Sequence, residues 1–146
     1  MANKTLAQNF YELTPDQVLE AIESRGLKPT GEFMQLNSYE NRVFEVRLEP
    51  DNILKTEKII VKFYRPGRWS QQSLLDEHQF LEDLKEEGIE VVAPISFEGK
   101  TLFEHLGMYW CVFPKFMGRM PQELLPGDFQ KIGRTLGLIH NVGAIK

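Results

Sequence analysis

Residues 59–64 read Ile-Ile-Val-Lys-Phe-Tyr, a run of strand-forming side chains with one lysine in the middle. β-branched and aromatic residues occupy both alternating faces of this run, which is typical of a strand covered on both sides. An ammonium group is costly to bury there unless an anionic group meets it. Lys62 therefore predicts an acidic partner elsewhere in the chain.

The next segment, residues 74–84, predicts an amphipathic helix whose apolar stripe comprises Leu74, Phe80, Leu81 and Leu84. Glu77 falls at helical spacing from all four, so we expect it at the centre of the stripe, facing inward. The other acidic residues of this region are expected to be solvated: Asp76, Glu82, Asp83, Glu86 and Glu87. A strand lysine paired with an inward glutamate on the next helix is the ion pair that protein kinases place at the α- and β-phosphates of ATP.

Two other interpretations of these residues remain open at this point. Lys62 and Glu77 can form a buried ion pair with a purely structural role. Alternatively, the lysine can extend along apolar surface to solvent and never meet Glu77.

Length and composition restrict the class of protein. A chain of 146 residues with 42% hydrophobic and 26% charged residues predicts about one globular domain. The net charge of −4 argues against binding to nucleic acid or to a membrane surface. The first residues have no apolar core of the kind a secretion signal needs, and the longest apolar run, 108–113, is too short to span a bilayer. We therefore expect a cytoplasmic protein.

The cysteine and histidine content predicts no metal site in this chain. Cys111, the single cysteine, lies between Trp110 and Val112, so it is expected to be a thiol of the core. The three histidines lack the spacing of a ligand set.

Local patterns predict the remaining elements. Thr14, Pro15 and Gln17 have the positions of a capped helix start. Strand-like residues at 33–36 and 42–48 flank a polar turn at 37–41, which predicts a hairpin. Its tip has no glycine, so Asn37 and Asn41 are expected to take the left-handed conformation instead.

The second half predicts two more strands and a final helix. Residues 91–97 predict a strand around a proline, and residues 109–113 form the most apolar run, which predicts a central strand. A helix is expected from Asp128, with an apolar face made by Phe129, Ile132, Leu136 and Ile139. Nothing else in the chain would cover this face, so self-association is expected.

The order of these parts, and several strings within them, resemble a known family. The strings are Leu-Asn-Ser-Tyr-Glu-Asn-Arg-Val (36–43), Val-Lys-Phe-Tyr-Arg-Pro (61–66), Glu-His-Gln-Phe (77–80), Val-Ala-Pro (92–94), Val-Phe-Pro (112–114) and Leu-Gly-Leu-Ile-His (136–140). They resemble bacterial Ser/Thr protein kinases of the aminoglycoside phosphotransferase and choline kinase superfamily. The resemblance implies an α+β fold: a protein-kinase-like N-lobe with an antiparallel β-sheet and an αC-type helix, then the hinge and the first helix of the C-lobe. The implied divisions are an N-terminal helical segment (1–30), the ATP-binding N-lobe (31–116) and the start of a C-lobe (117–146).

The resemblance also implies roles for particular residues. Lys62 would contact the α- and β-phosphates of ATP, and Glu77 would orient it. The remaining ATP-binding residues would be the phosphate loop (Ser38, Tyr39, Glu40, Asn41, Arg42), the adenine pocket (Val43, Ile60, Val112) and the hinge backbone (Phe113, Pro114, Lys115, Phe116). The family's His-Gly-Asp segment and its Mg²⁺ ligands do not occur in this sequence. They are expected beyond residue 146, and this chain is expected to be inactive alone.

Three functions are consistent with these patterns. The first is the ATP-binding lobe of a kinase whose substrate is the Ser or Thr hydroxyl of a protein. The second is a small-molecule kinase acting on an aminoglycoside, choline or homoserine. The third is a non-catalytic nucleotide-binding module, which the missing tip glycines favour and the pairing of Lys62 with Glu77 disfavours.

Overall fold

The structure, a computed structural model, describes residues 5–145. Within these residues, four helices and five strands follow one another as α1 (Leu6–Tyr11), α2 (Pro15–Glu23), β1 (Pro29–Leu36), β2 (Arg42–Leu48), β3 (Lys58–Phe63), α3 (Gln71–Glu86), β4 (Phe103–His105), β5 (Met108–Pro114) and α4 (Pro126–Ile145). The strands form one antiparallel sheet in the order β1-β2-β3-β5-β4. The lysine strand, β3, is therefore its middle strand, and the predicted α+β class is confirmed.

The predicted hairpin is present as β1 and β2, and its tip spans residues 37–41. Neither Asn37 nor Asn41 has a positive φ, so the expected left-handed conformation at these positions was wrong. The tip is instead an open bend fastened by side chains, which removes the need for glycine. The apolar strand β5 lies inside the sheet between β3 and β4, next to the centre rather than at it.

Two short helices, α1 and α2, lie within the predicted N-terminal segment (1–30), and β1 begins near its end, at Pro29. Thr14 caps α2, Pro15 begins it, and a reciprocal hydrogen-bond pair joins Thr14 to Gln17, as predicted. A second capping box, at Thr5, begins α1, which sequence patterning did not reveal. Residues 1–4 of this segment lie outside the described residues.

The two faces of the sheet carry different chemistry. One face forms the main core, where Phe44, Val61 and Trp110 pack against buried residues of α1 and α2 such as Phe10 and Val18. The opposite face carries Lys62, and α3 covers one end of it through a second cluster containing Tyr64, Leu74 and Cys111. Burial of Cys111 agrees with its predicted place in the core. The main core therefore packs against one face of the sheet. The opposite face, which carries Lys62 and is called the lysine face below, stays accessible for a site.

The strand predicted at 91–97 is not formed. Residues 91–96 have no regular structure, and Phe97 makes only an isolated bridge to Lys100. A single backbone hydrogen bond, 2.7 Å from Ile95 N to Val112 O, joins this segment to β5. Pro94, next to Ile95, has no N–H to donate, so this segment would form fewer hydrogen bonds as a strand than a segment without proline.

The final helix α4 has little cover. Three of the four residues of its predicted apolar face are exposed, with Phe129 at 61%, Ile132 at 44% and Leu136 at 48%, whereas Val142 is buried. Gly143 lies close to Phe80 of α3: a Cβ atom placed on Gly143 would be 3.6 Å from the Phe80 ring. Self-association through the exposed face stays a prediction. Within residues 5–145, no helix combines the length and the apolar character that a membrane crossing needs.

Candidate functional site

Lys62 and Glu77 meet on the open face of the sheet. The Lys62 Nζ atom lies 3.8 Å from Oε1 of Glu77, and the two side chains are 22% and 47% exposed. The ion pair predicted from the sequence is therefore present, but the inward burial of Glu77 was wrong. The apolar face of α3 is centred on Leu74, His78 and Leu84, which places Glu77 at its flank. Asp83, expected to be solvated, is 8% exposed and accepts a hydrogen bond from Gln79.

A partly exposed ion pair does not by itself hold the Lys62 side chain in one position. Half-exposed pairs contribute roughly 0.2–1 kcal/mol, because water screens the attraction and two long side chains lose freedom. Lys62 has additional contacts with aromatic rings: its Nζ lies 4.6 Å from the ring centroid of Tyr64 and 5.9 Å from that of Phe113. The ammonium group is thus held between a carboxylate and two aromatic faces.

A largely buried network of hydrogen-bonded polar side chains lies next to Lys62. The hydroxyl of Tyr64 and Nε2 of His78 are 2.9 Å apart, and Nδ1 of His78 is 2.8 Å from the hydroxyl of Thr101. The thiol of Cys111 donates to the Tyr64 oxygen at 3.6 Å. Burial, with a smaller contribution from the charge of Lys62, lowers the pKa of His78 to about 4, so His78 is neutral at physiological pH. Burial also raises the pKa of Tyr64 and of Cys111, which keeps both protonated.

The sequence patterns did not predict this network of polar side chains. Two features of the sequence could have indicated it. Tyr64 is two residues after Lys62 and so lies on the same side of the strand, and His78 is one turn after the buried Leu74.

A second charged group links β2 to the segment after β5. Glu45 is 12% exposed, and its two carboxylate oxygens accept from Lys115 Nζ at 2.6 Å and from Lys58 Nζ at 2.8 Å. The hydrogen bonds from Lys115 and then from Lys58 lower the pKa of Glu45 below its ordinary value. Glu45, Lys58 and Lys115 thereby fasten the hinge segment to the lysine face.

The stability contributed by Glu45 should depend on pH. A lowered pKa in the folded state means that this stability is complete above the unfolded pKa of about 4.3 and is lost as pH falls through the folded value. We expect Glu45→Gln to cost about 1.5–3 kcal/mol at pH 7, the range for hydrogen bonds to charged groups, and less at pH 3, because protonation of the folded wild type removes this advantage as pH falls. Urea unfolding at both pH values measures the difference. Glu57→Gln, which removes a carboxylate 68% exposed, is the control and should change little at either pH. An equal cost at both pH values would contradict the ionic role of Glu45.

The hairpin tip is fastened to the segment that follows β3. Glu40 Oε1 accepts from Arg68 Nε at 2.7 Å, and the side-chain oxygen of Asn41 accepts from the backbone N–H of Arg65 at 3.2 Å. Tyr39, at the apex, is fully exposed, and Ser38 is exposed as well. The predicted loop residues therefore divide into an exposed apex and a tethered base.

Two residues predicted to bind ATP have side chains on the wrong side of the sheet. Arg42 donates to the carbonyls of Phe10, Tyr11 and Leu13, at 3.1–3.3 Å, and so anchors the N-terminal segment. Val112 is fully buried in the main core and is paired with Val61, on the face opposite Lys62. The Arg42 and Val112 side chains therefore cannot line a pocket on the lysine face.

The lysine face itself brings together the other predicted residues of the sheet. The register pairs Val43 with Lys62, and Ile60 with both Glu45 and Phe113, so these side chains share one side. Phe113, Pro114 and Lys115 are partly buried and Phe116 is 66% exposed, as the chain leaves the sheet. The combined surface is apolar near Ile60 and Phe113 and cationic at Lys62.

Two recesses in the described residues lie away from Lys62. A groove of about 820 Å³ separates α3 from the segment around Pro94 and Thr101, and one of about 520 Å³ separates the turn at Gly88 from α4. No cluster of three or more His, Cys, Asp or Glu side chains suited to a metal ion occurs within residues 5–145.

A five-stranded antiparallel sheet with a lysine on its middle strand, met by a glutamate from the next helix, defines a kinase-like N-lobe. The chain belongs to the phosphotransferase enzyme family (APH), whose family model matches residues 32–145. This agrees with the family resemblance seen in the sequence.

The chain is similar in sequence to several curated kinases and similar in fold to a solved kinase structure. The chain is 37% identical to stress response kinase A of Shigella flexneri and of Escherichia coli strain K12, over 94% of this chain and 40% of each relative. It is 35% identical to the serine/threonine protein kinase RdoA of Salmonella typhimurium, with the same coverage. Among solved structures, the amicoumacin kinase hAmiN in complex with AMP-PNP, Ca²⁺ and Ami has a TM-score of 0.66 and 23% identity, over 87% of this chain and 40% of that one. The chain thus spans about two fifths of the length of these relatives.

Proposed function

We propose that this chain is the ATP-binding lobe of a protein kinase that transfers the γ-phosphate of ATP to a Ser or Thr hydroxyl. The observation that carries the proposal is the position of Lys62, on the middle strand, paired with Glu77 and adjoining an apolar surface next to the hinge. Relatives named as stress response and serine/threonine kinases at 35–37% identity support it.

The proposed roles follow from the arrangement of the lysine face. Lys62 contacts the α- and β-phosphates, where an ammonium group neutralises charge on the leaving diphosphate. Val43, Ile60 and Phe113 contact the adenine ring, so that Phe113 takes the part first predicted for Val112. Backbone groups of residues 113–116 bond the adenine edge, and those of residues 38–42 face the phosphates.

The catalytic base and the Mg²⁺ ligands are proposed to come from residues outside this chain. Phosphoryl transfer depends on a positioned nucleophile and on neutralised phosphates. The described residues contain no suitable cluster for a divalent ion. The chain alone is therefore expected to bind nucleotide without transferring phosphate.

Two other functions remain as alternatives. A small-molecule kinase would use the same lobe with a different acceptor, and the names of the relatives at 35–37% identity favour a protein acceptor instead. A non-catalytic module was disfavoured by the cost of burying Lys62 with Glu77, but this cost is small because Glu77 is 47% exposed. Membership of a phosphotransferase family is now the stronger reason to prefer a kinase.

The experiment compares acceptors in the full-length protein. Purified protein is incubated with ATP and Mg²⁺, either alone, with a generic protein substrate, or with a panel of aminoglycosides, choline and homoserine. We expect phosphate on Ser or Thr, detected by mass spectrometry, and no ADP formation above background that depends on the metabolites. Metabolite-dependent ADP formation would establish the small-molecule alternative, and absence of both nucleotide binding and turnover would contradict the proposal.

A further inference from the structure

The bond between Tyr64 and His78 joins the two elements that carry the proposed phosphate-binding pair. Tyr64 follows β3, two residues after Lys62, and its ring lies 4.6 Å from Lys62 Nζ. His78 is the residue after Glu77 in α3, and it meets the Tyr64 hydroxyl at 2.9 Å. Both residues are nearly inaccessible to solvent, at 3% and 4% exposure.

The hydrogen bonds of this group have one consistent direction. The Cys111 thiol donates to the Tyr64 oxygen, so the Tyr64 hydroxyl is left to donate to Nε2 of His78. Nδ1–H of His78 then donates to the Thr101 hydroxyl, 2.8 Å away. The neutral imidazole is the form that accepts from one side and donates to the other. The Tyr64 hydroxyl is thereby held by two buried partners, the Cys111 thiol and the His78 imidazole, which fixes the orientation of the ring.

Glu77 by itself is poorly suited to fix the position of Lys62. Its side chain is 47% exposed and its oxygen is 3.8 Å from Nζ, longer than an ordinary hydrogen bond. The Tyr64 ring, in contrast, is immobilised by buried hydrogen bonds and presents its face to the ammonium group. The bond to His78 also sets the height of Glu77 above β3, because His78 and Glu77 are adjacent in α3.

We propose that Tyr64 and His78 are positioning residues, which act through Lys62 to place its ammonium group for the nucleotide phosphates. This inference rests on the proposed function. It assigns the positioning of Lys62 to the buried hydrogen bond between Tyr64 and His78, because the half-exposed ion pair with Glu77 is too weak to position it. In this proposal neither residue contacts the nucleotide.

The test separates positioning from a purely structural role by a double-mutant cycle on the full-length protein. The dissociation constant of AMP-PNP is measured for the wild type, Tyr64→Phe, Lys62→Met and the double variant. Tyr64→Phe keeps the ring and removes only the hydroxyl. We expect it to weaken binding by about 3- to 10-fold in the wild type, a coupling typical of contacting residues, and to change nothing further in the Lys62→Met background.

Two further variants and two matched controls complete the experiment. His78→Leu should weaken binding as Tyr64→Phe does, and His78→Gln should restore much of the affinity, because its amide can still accept from the Tyr64 hydroxyl. Tyr109→Phe removes a hydroxyl that has no hydrogen-bond partner among the described residues, and His140→Gln alters an exposed histidine of α4. Both controls should bind as the wild type does.

The outcomes distinguish the two proposals. Equal weakening by Tyr64→Phe with and without Lys62 would mean a structural role and would overturn the inference, as would wild-type affinity of Tyr64→Phe. In either case the proposed function would stand, provided that the wild type binds AMP-PNP and binds it more tightly than Lys62→Met does. A wild type that does not bind AMP-PNP, or a Lys62→Met variant that binds equally well, would overturn both proposals.

Discussion

Replacing Lys62 with methionine is expected to reduce phosphoryl transfer by the full-length protein by about 10²–10³-fold, the usual loss when one group that stabilises transition-state charge is removed. Methionine has a similar length and fills similar space, so the fold should persist. Lys62 also lies on the face opposite the main core, and its removal leaves that core intact. Measurement of kcat and KM for ATP, together with a thermal unfolding curve, tests both parts of this prediction.

Lys85→Met is the matched control for this experiment. Lys85 is 62% exposed on α3, and within residues 5–145 its ion-pair partner is Glu82 of the same helix, 3.7 Å away. Its replacement removes one positive charge without touching the lysine face, so kcat/KM should stay close to the wild-type value. Unchanged turnover in Lys62→Met would exclude the phosphate-binding role, and a similar loss in both variants would indicate a general charge effect.

Replacing Trp110 with alanine is expected to destabilise the chain by about 3–5 kcal/mol, the range for deleting a large buried aromatic side chain. Trp110 is 1% exposed and lies parallel to Phe63, with ring centroids 5.8 Å apart, and its centroid is 5.2 Å from that of Phe103. Alanine would leave a cavity among rings that the sheet holds in place. Domains are stable by only about 5–15 kcal/mol, so this loss would remove a large part of the free energy of unfolding.

Urea unfolding followed by far-ultraviolet circular dichroism measures this loss without relying on tryptophan fluorescence. Trp69→Ala is the control, because Trp69 is 52% exposed and its described ring contact is with the Arg68 guanidinium, 5.0 Å away. Its loss should stay below about 1 kcal/mol. Comparable losses in the two variants would show that Trp110 does not anchor the core.

The sequence predicted those parts of the fold that depend on neighbours along the chain. The cap of α2 needs only Thr14, Pro15 and Gln17, whose hydrogen bonds close within one turn. The alternation in β2 and the polar turn before it likewise predicted the hairpin. Strict alternation also predicts which residues share a face, and Glu45 and Arg47 do separate from Phe44 and Val46.

The faces of the more apolar elements could not be predicted in this way. Residues 108–114 are apolar almost throughout, so their pattern does not say which side meets the core, and Val112 was assigned to the face that Phe113 occupies. In α3, Glu77 and His78 both lie near the apolar stripe, and packing against Tyr64 places His78 inside.

Local patterns along the chain are enough to predict that a strand lysine needs a counter-charge, that the following helix carries one, and that the chain has the family's order of elements. How that lysine is held depends on contacts between different elements. Periodicity fixes the relative phase of side chains within one element, whereas burial depends on which surfaces of different elements meet. Glu77 is therefore half-exposed, and the buried contact between α3 and the end of the lysine strand is made by His78 and Tyr64, the residue directly after β3. Their pairing depends on packing between residues 14 positions apart.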